Sequence, residues 1–222
     1  MTEMTLEKLS RFVNKGVIVH PWHGIDLRPE HGDETFVHAY VEIVPSDTVK
    51  FELDKKSGFL MIDRPNKLSN TMPCMYGFVP KTYCDENVAA HTRKATGDDS
   101  IEGDGDPLDI CVLTDRTFSG GNFFASVKVL GGFRMLDGGE ADDKIIAVLK
   151  DDHVYGDFSD VSELPSKVLT KLKHYFLTYK EIPEAGKKPK VEITHTYGAD
   201  EAKTIVTLAS KDYEQKIATE IR

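Results

Sequence analysis

The sequence has little cysteine: Cys74, Cys84 and Cys111 are the three in 222 residues, an odd number with no close Cys-x-x-Cys pair. That excludes a disulfide framework and predicts reduced thiols in a cytoplasmic setting. Cys74 and Cys84 with His91 have loose spacings and no evident fourth ligand, which argues against a zinc site. No apolar run reaches membrane length. Met1 to Gly16 scatters Glu3, Glu7, Lys8, Arg11 and Lys15 among its apolar residues, so neither a spanning helix nor a signal peptide is expected. Positive charge is scarce too, with 28 Lys and Arg against 37 Asp and Glu, a net charge of -9. A nucleic-acid partner would call for a basic face, so a highly charged anion would have to bind through a local cluster of cations or through metal ions. Internal repeats, low-complexity tracts and a Gly-rich nucleotide cradle are also missing.

What is present suits one domain spanning residues 1–222, since 40% of the chain is hydrophobic and no linker divides it. Val37, Ala39, Val41 and Ile43 alternate with His38, Tyr40 and Glu42, the period of a strand with Glu42 on its polar face. Val49 to Leu53 repeats the pattern with Lys50 and Glu52 polar, and Lys55 to Gly58 turns the chain into Phe59 to Ile62, which ends at Asp63-Arg64. Further strands are expected at Ala125 to Leu130 and Ile145 to Leu149. Asp85 to Gly103 has no clear period and reads as a long surface loop. Leu164 to Lys180 carries an apolar stripe through Val168, Leu172, Tyr175 or Phe176, and Tyr179, which predicts an amphipathic helix. A last helix, capped by Asp200 and reaching Tyr213, would turn Ala202, Ile205, Leu208 and Ala209 inward.

The run Asp104-Gly105-Asp106-Pro107-Leu108-Asp109 sets three carboxylates within six residues. Three converging carboxylates repel unless a hard cation joins them, and ionised carboxylates are its natural oxygen ligands. The run is not an EF-hand, because the fifth position is Leu108 and the twelfth is Asp115. Leu108, Ile110 and Val112 then alternate with Asp109 and Cys111, so Asp109 starts a strand while Asp104 and Asp106 stand on the turn before it. A second acidic loop, Asp137 to Lys144, lies between strands. Two such loops in a strand-rich domain can face each other across a cavity. Asp143, beside Asp142, reads as solvated.

These residues resemble the soluble family I inorganic pyrophosphatases. The resemblance rests on the acidic signature together with Glu42, Lys50 and Glu52, Asp63-Arg64, Pro73-Cys74-Met75-Tyr76-Gly77, the Asp137 to Lys144 loop and Tyr179-Lys180, in the family's order from Tyr40 to Ile182. It implies an α+β, mainly β fold: a closed five-stranded antiparallel barrel of OB-like type with helices outside. The family-like core would run from about residue 36 to 182, between an N-terminal extension of 1–35 and a C-terminal helical segment of 183–222.

The resemblance further implies Mg²⁺-dependent hydrolysis of pyrophosphate to two phosphates by direct attack of a metal-activated water, which pulls pyrophosphate-releasing biosynthesis forward. Several Mg²⁺ ions per site are implied, with Mn²⁺ or Zn²⁺ as substitutes. Asp104, Asp109, Asp142 and Asp137 match the family's metal ligands, and Asp106 matches the carboxylate that orients the water and takes its proton. Lys50, Arg64, Tyr76, Lys144, Tyr179 and Lys180 match its phosphate-binding groups, while Glu42 and Glu52 match acids acting through water. Met72 stands where many members carry Tyr, and Thr178 follows His174 where one hexameric branch has two histidines, so a homo-oligomer is implied without its size. The rival readings are a metal-dependent phosphatase on an organic phosphate and a non-catalytic barrel that binds anions.

Overall fold

The computed structural model describes residues 19–181, 186 and 189–217. The reading of Met1 to Gly16 therefore lies outside the described residues. In chain order the elements are α1 (Pro21–Gly24), β1 (Phe36–Ile43), β2 (Val49–Leu53), β3 (Leu60–Pro65), β4 (Met75–Phe78), α2 (Glu86–Thr96), β5 (Glu102–Gly103) and β6 (Asp109–Leu113). They continue with β7 (Phe123–Asp137), β8 (Glu140–Ala141), β9 (Lys144–Leu149), α3 (Ser166–Thr178), β10 (Val191–Gly198) and α4 (Ala199–Asp212).

Five strands close on themselves in the order β1-β4-β6-β9-β7, and β7 pairs back with β1. This is the expected five-stranded barrel. Four of its ladders are antiparallel, whereas β6 and β9 run parallel, with Asp109 beside Lys144. A parallel pair requires a long crossover, and β7 lies within that crossover. The β2–β3 hairpin forms a separate two-stranded sheet.

Alternation builds the two larger of three hydrophobic cores. Ile110 and Val112 of β6, and Ile145 and Ala147 of β9, join Val37, Ala39 and Val41 of β1 in the first, where Ala202, Ile205, Val206 and Ala209 of α4 also pack. Cys111, Leu113, Ile146 and Val148 point the other way and are covered by Leu172 and Phe176 of α3. Strand β7 runs well past the expected Leu130 because it bends at Gly131, with a register shift in its ladder to β9. Gly131 has φ +154°, and a Cβ there would lie 2.3 Å from the Tyr197 carbonyl oxygen.

Three local expectations are corrected. The segment read as a loop contains α2, whose buried face is only Val88, Ala89 and Thr92, too short and too polar to give a visible apolar period. Its N-terminus is secured from a distance: both carboxylate oxygens of Asp212 accept from the backbone N–H groups of Asp85, Asn87 and Val88 at 3.0–3.1 Å. Asp200 does not cap the last helix, because it lies inside the first turn and Gly198 holds the N-cap position. Asp160 Oδ2 instead accepts from the Ala199 N–H at 2.8 Å. Leu208 packs partly buried against the core, and Val206 is buried there as well. The C-terminal segment read as helical also carries β10, which pairs with β7 along its whole length. Among the described residues, no helix is long and apolar enough to cross a membrane.

Candidate active site

The acidic run is held by its backbone. Gly105 has φ +72°, a conformation costly to other residues, and its N–H donates to the Cys84 carbonyl at 3.0 Å. The Asp106 carbonyl accepts from the Cys84 N–H at 2.8 Å, and the Asp106 N–H donates to Asp104 Oδ1 at 3.0 Å. Leu108 is wholly buried and anchors the turn, its N–H donating to Thr82 Oγ1 at 2.9 Å. Asp109 then enters β6 between Phe78 of β4 and Lys144 of β9. The second acidic loop closes the opposite wall, with Asp137 ending β7 and the Asp142 N–H bonded to the Met135 carbonyl at 3.0 Å.

Both loops, the polar edge of β1 and β2, and the end of α3 surround one cavity of about 190 Å³. Of the sequence candidates, Asp104, Asp106, Asp109, Asp137, Asp142, Glu42, Glu52, Lys50, Lys144, Lys180, Tyr76 and Tyr179 all line it. Arg64 does not. It lies in an adjoining groove that shares Lys50 and Tyr179 with the cavity, and its guanidinium pairs with Asp63. Tyr179 stacks on Tyr175 with ring centroids 5.1 Å apart, so its place on the apolar stripe and its place on the cavity wall are compatible.

The ammonium groups hold the carboxylates. Lys144 is 2% exposed and pairs with both Asp109 and Asp142, while the Tyr76 hydroxyl donates to Asp109 at 2.5 Å. Lys180 pairs with Asp137, Lys50 with Glu52, and Lys55 with Asp106. Among the described residues no three Asp, Glu, His or Cys side chains stand as a ready-made metal-ligand cluster.

Burial raises several acids in this wall. Asp104 is pushed up to about 9, first by burial and then by the charges of Asp142 and Asp109. Glu42 is pushed up to about 8 by burial, although the Leu53 N–H, 2.6 Å from Oε1, opposes the shift. Burial raises Asp142 as well, against the pull of Lys144. Burial alone would lower Lys144, but Asp109 and Asp142 outweigh it and hold the ammonium charged. The wall is an acid-rich surface short of positive charge.

Residues 39–214 match the family model described as inorganic pyrophosphatase. The chain belongs to the inorganic pyrophosphatase family. It is 51% identical over 199 residues to an inorganic pyrophosphatase of Chlamydia muridarum, covering 88% of this chain and 94% of that one. The crystal structure of inorganic pyrophosphatase from Thermus thermophilus is similar with a TM-score of 0.71 at 26% identity, over 88% of this chain and 99% of the other. A type I inorganic pyrophosphatase structure from Toxoplasma gondii gives a TM-score of 0.75 at 25% identity, covering 91% and 90%.

Sequence reasoning missed several residues of this cavity wall. Glu140 and Tyr175 line it, and Lys55 reaches Asp106 across the rim. Glu140 was within view as part of the acidic loop, but nothing in the Lys55-Lys56 turn signals a contact 51 residues away. Met72 is buried and lines the cavity where a Tyr was expected. Asp143 is not solvated: it is 2% exposed and faces the buried Arg134. Burial pushes Asp143 up to about 7 against the pull of Arg134. The zinc combination is also separated, since Cys74 and Cys84 belong to different cores and His91 meets Glu201.

Proposed function

We propose that the chain hydrolyses inorganic pyrophosphate to two phosphates with Mg²⁺ as its cofactor, acting in the cytoplasm as a homo-oligomer. The observation that carries this reading is the acid-rich lining of the cavity: eight Asp and Glu side chains face three ammonium groups within the family-matched stretch. A pyrophosphate of three to four negative charges would be repelled by such a wall. Divalent cations reconcile the two, and the donor chemistry suits them, since the acids are hard oxygen ligands and the charges of Asp142 and Asp109 add to burial in raising Asp104.

Asp104, Asp109, Asp142 and Asp137 would hold the metal, giving up Lys144 and Lys180 to do so. Bound divalent cations supply neutralisation of phosphoryl oxygens and a more acidic water. The ammonium groups so released, with Lys50, Tyr76 and Tyr179, donate to the phosphates, and Arg64 offers a planar fork from the adjoining groove. Asp106, the half-exposed acid of the turn, orients the attacking water and takes its proton. Glu42 and Glu52 act at one remove, through water. No covalent phosphoenzyme forms. An exposed apolar run on the β2–β3 hairpin, Phe59, Met61 and Ile62, supports association between copies.

Substrate choice tests the reading. With Mg²⁺ in excess, kcat/KM for pyrophosphate should exceed that for p-nitrophenyl phosphate by roughly 10³-fold or more, because a monoester leaves half of the phosphate-binding groups unused. A preference for the monoester would replace this function with that of an organic phosphatase.

A further inference from the structure

Asp142 and Lys144 line the cavity, and the residue between them does not. Asp143 meets Arg134 instead, with Nε to Oδ1 at 3.5 Å, an ion contact too long for a good hydrogen bond. Arg134 is wholly buried on β7 between Phe133 and Met135. Those two neighbours are themselves tied to the loop: Phe133 is the ladder partner of Lys144, and the Met135 carbonyl accepts from the Asp142 N–H at 3.0 Å. The guanidinium is held from behind as well. Its Nη2 donates to Glu201 Oε1 of α4 at 2.9 Å, and its Cζ lies 5.4 Å from the centre of the Tyr197 ring on β10.

A fully buried ion pair is a costly way to stabilise a fold, because desolvation offsets much of its attraction. Here the pair is imperfect too: Arg134 Nη1 and both Asp143 oxygens find no hydrogen-bond partner among the described residues. What it does accomplish is orientation. Asp142 and Asp143 link β8 to Lys144 at the start of β9, and the contact with Arg134 turns Asp143 away from the cavity that its two neighbours line.

We infer that Arg134, held by Glu201, is a positioning residue that captures Asp143 and thereby fixes Asp142 and Lys144 toward the cavity. The inference rests on the reading of those two residues as metal and phosphate ligands. It makes α4, which contributes no side chain to the cavity wall, part of the support of the site.

The test is Arg134→Lys, which keeps the charge but lacks the fork needed to reach Asp143 and Glu201 together. The full-length variant should melt within a few degrees of the wild type. Its Mg²⁺ dissociation constant, measured by calorimetry without substrate, should rise roughly tenfold, and kcat at saturating pyrophosphate should fall by a similar factor. Glu201→Gln, at a partly exposed position that folding tolerates better, should weaken Mg²⁺ in the same direction by a smaller factor. Unchanged Mg²⁺ affinity and kcat in folded Arg134→Lys, or in Glu201→Gln should the first variant not fold, would reduce the pair to a packing role and overturn the inference. Wild-type protein that neither binds Mg²⁺ nor cleaves pyrophosphate would overturn the functional reading itself, a result distinct from a variant that merely matches an active wild type.

Discussion

Asp106→Asn is expected to lower kcat for pyrophosphate by about 10²- to 10⁴-fold while the chain still folds and still binds its substrate. With Asp106 in its proposed role, the size follows from removing the proton acceptor alone. Asn keeps the shape of the side chain, and the contacts that shape the turn use the backbone of residue 106, whose N–H donates to Asp104 and whose carbonyl accepts from Cys84. The Asp106 side chain is 54% exposed and its partner Lys55 is 49% exposed, so loss of that ion pair should change stability little. Steady-state kinetics, a thermal melt and calorimetric pyrophosphate binding separate these quantities. A kcat within threefold of wild type would move the proton-accepting role to another acid of the wall.

Lys144→Met should have the largest effect on stability, and the effect should depend on divalent cation. The ammonium is almost fully buried and neutralises Asp109 and Asp142 together. Removing one partner from a buried charge pair costs roughly 3–5 kcal/mol, and at about 2–4 °C per kcal/mol for a chain of this size the melting temperature should fall by several degrees or more. Mg²⁺ bound as proposed would stand in for the missing charge, so its addition should raise the melting temperature of the variant more than that of the wild type. The deficit should shrink at acid pH, because a protonated Asp142, whose pKa burial already raises, no longer needs the ammonium. Melts with and without Mg²⁺ at two pH values check each part. A variant as stable as wild type without the cation would show that the buried carboxylates do not depend on Lys144.

The legible parts of the molecule were those in which one short segment carries its own signal. Alternation in Val37 to Ile43 and in Leu108 to Val112 marked two barrel strands, and the stripe through Leu172 and Phe176 marked α3. The acids of the cavity were legible because the turn concentrates them, with Gly105 and Pro107 shaping it. What failed was non-local. Helices α2 and α4 have their N-termini secured by Asp212 and Asp160, 124 and 39 residues away in sequence, so reading the nearest polar residue as a cap misplaced the second of them. Asp143 was missed for the same reason: its partner Arg134 lies on β7, and a charge beside Asp142 looks solvated until that strand is placed against the loop. The parallel ladder of β6 with β9 likewise depends on chain order in space, which periodicity does not encode.

The central claim is that this carboxylate-walled cavity cleaves pyrophosphate only with divalent cation in place. Phosphate release from pyrophosphate near pH 8 with Mg²⁺ in excess, then after chelation with EDTA, then after Mg²⁺ is restored, tests it most directly. Rapid release that stops on chelation and returns with the metal is the predicted result. No release under any of these conditions, or release indifferent to EDTA, would contradict it.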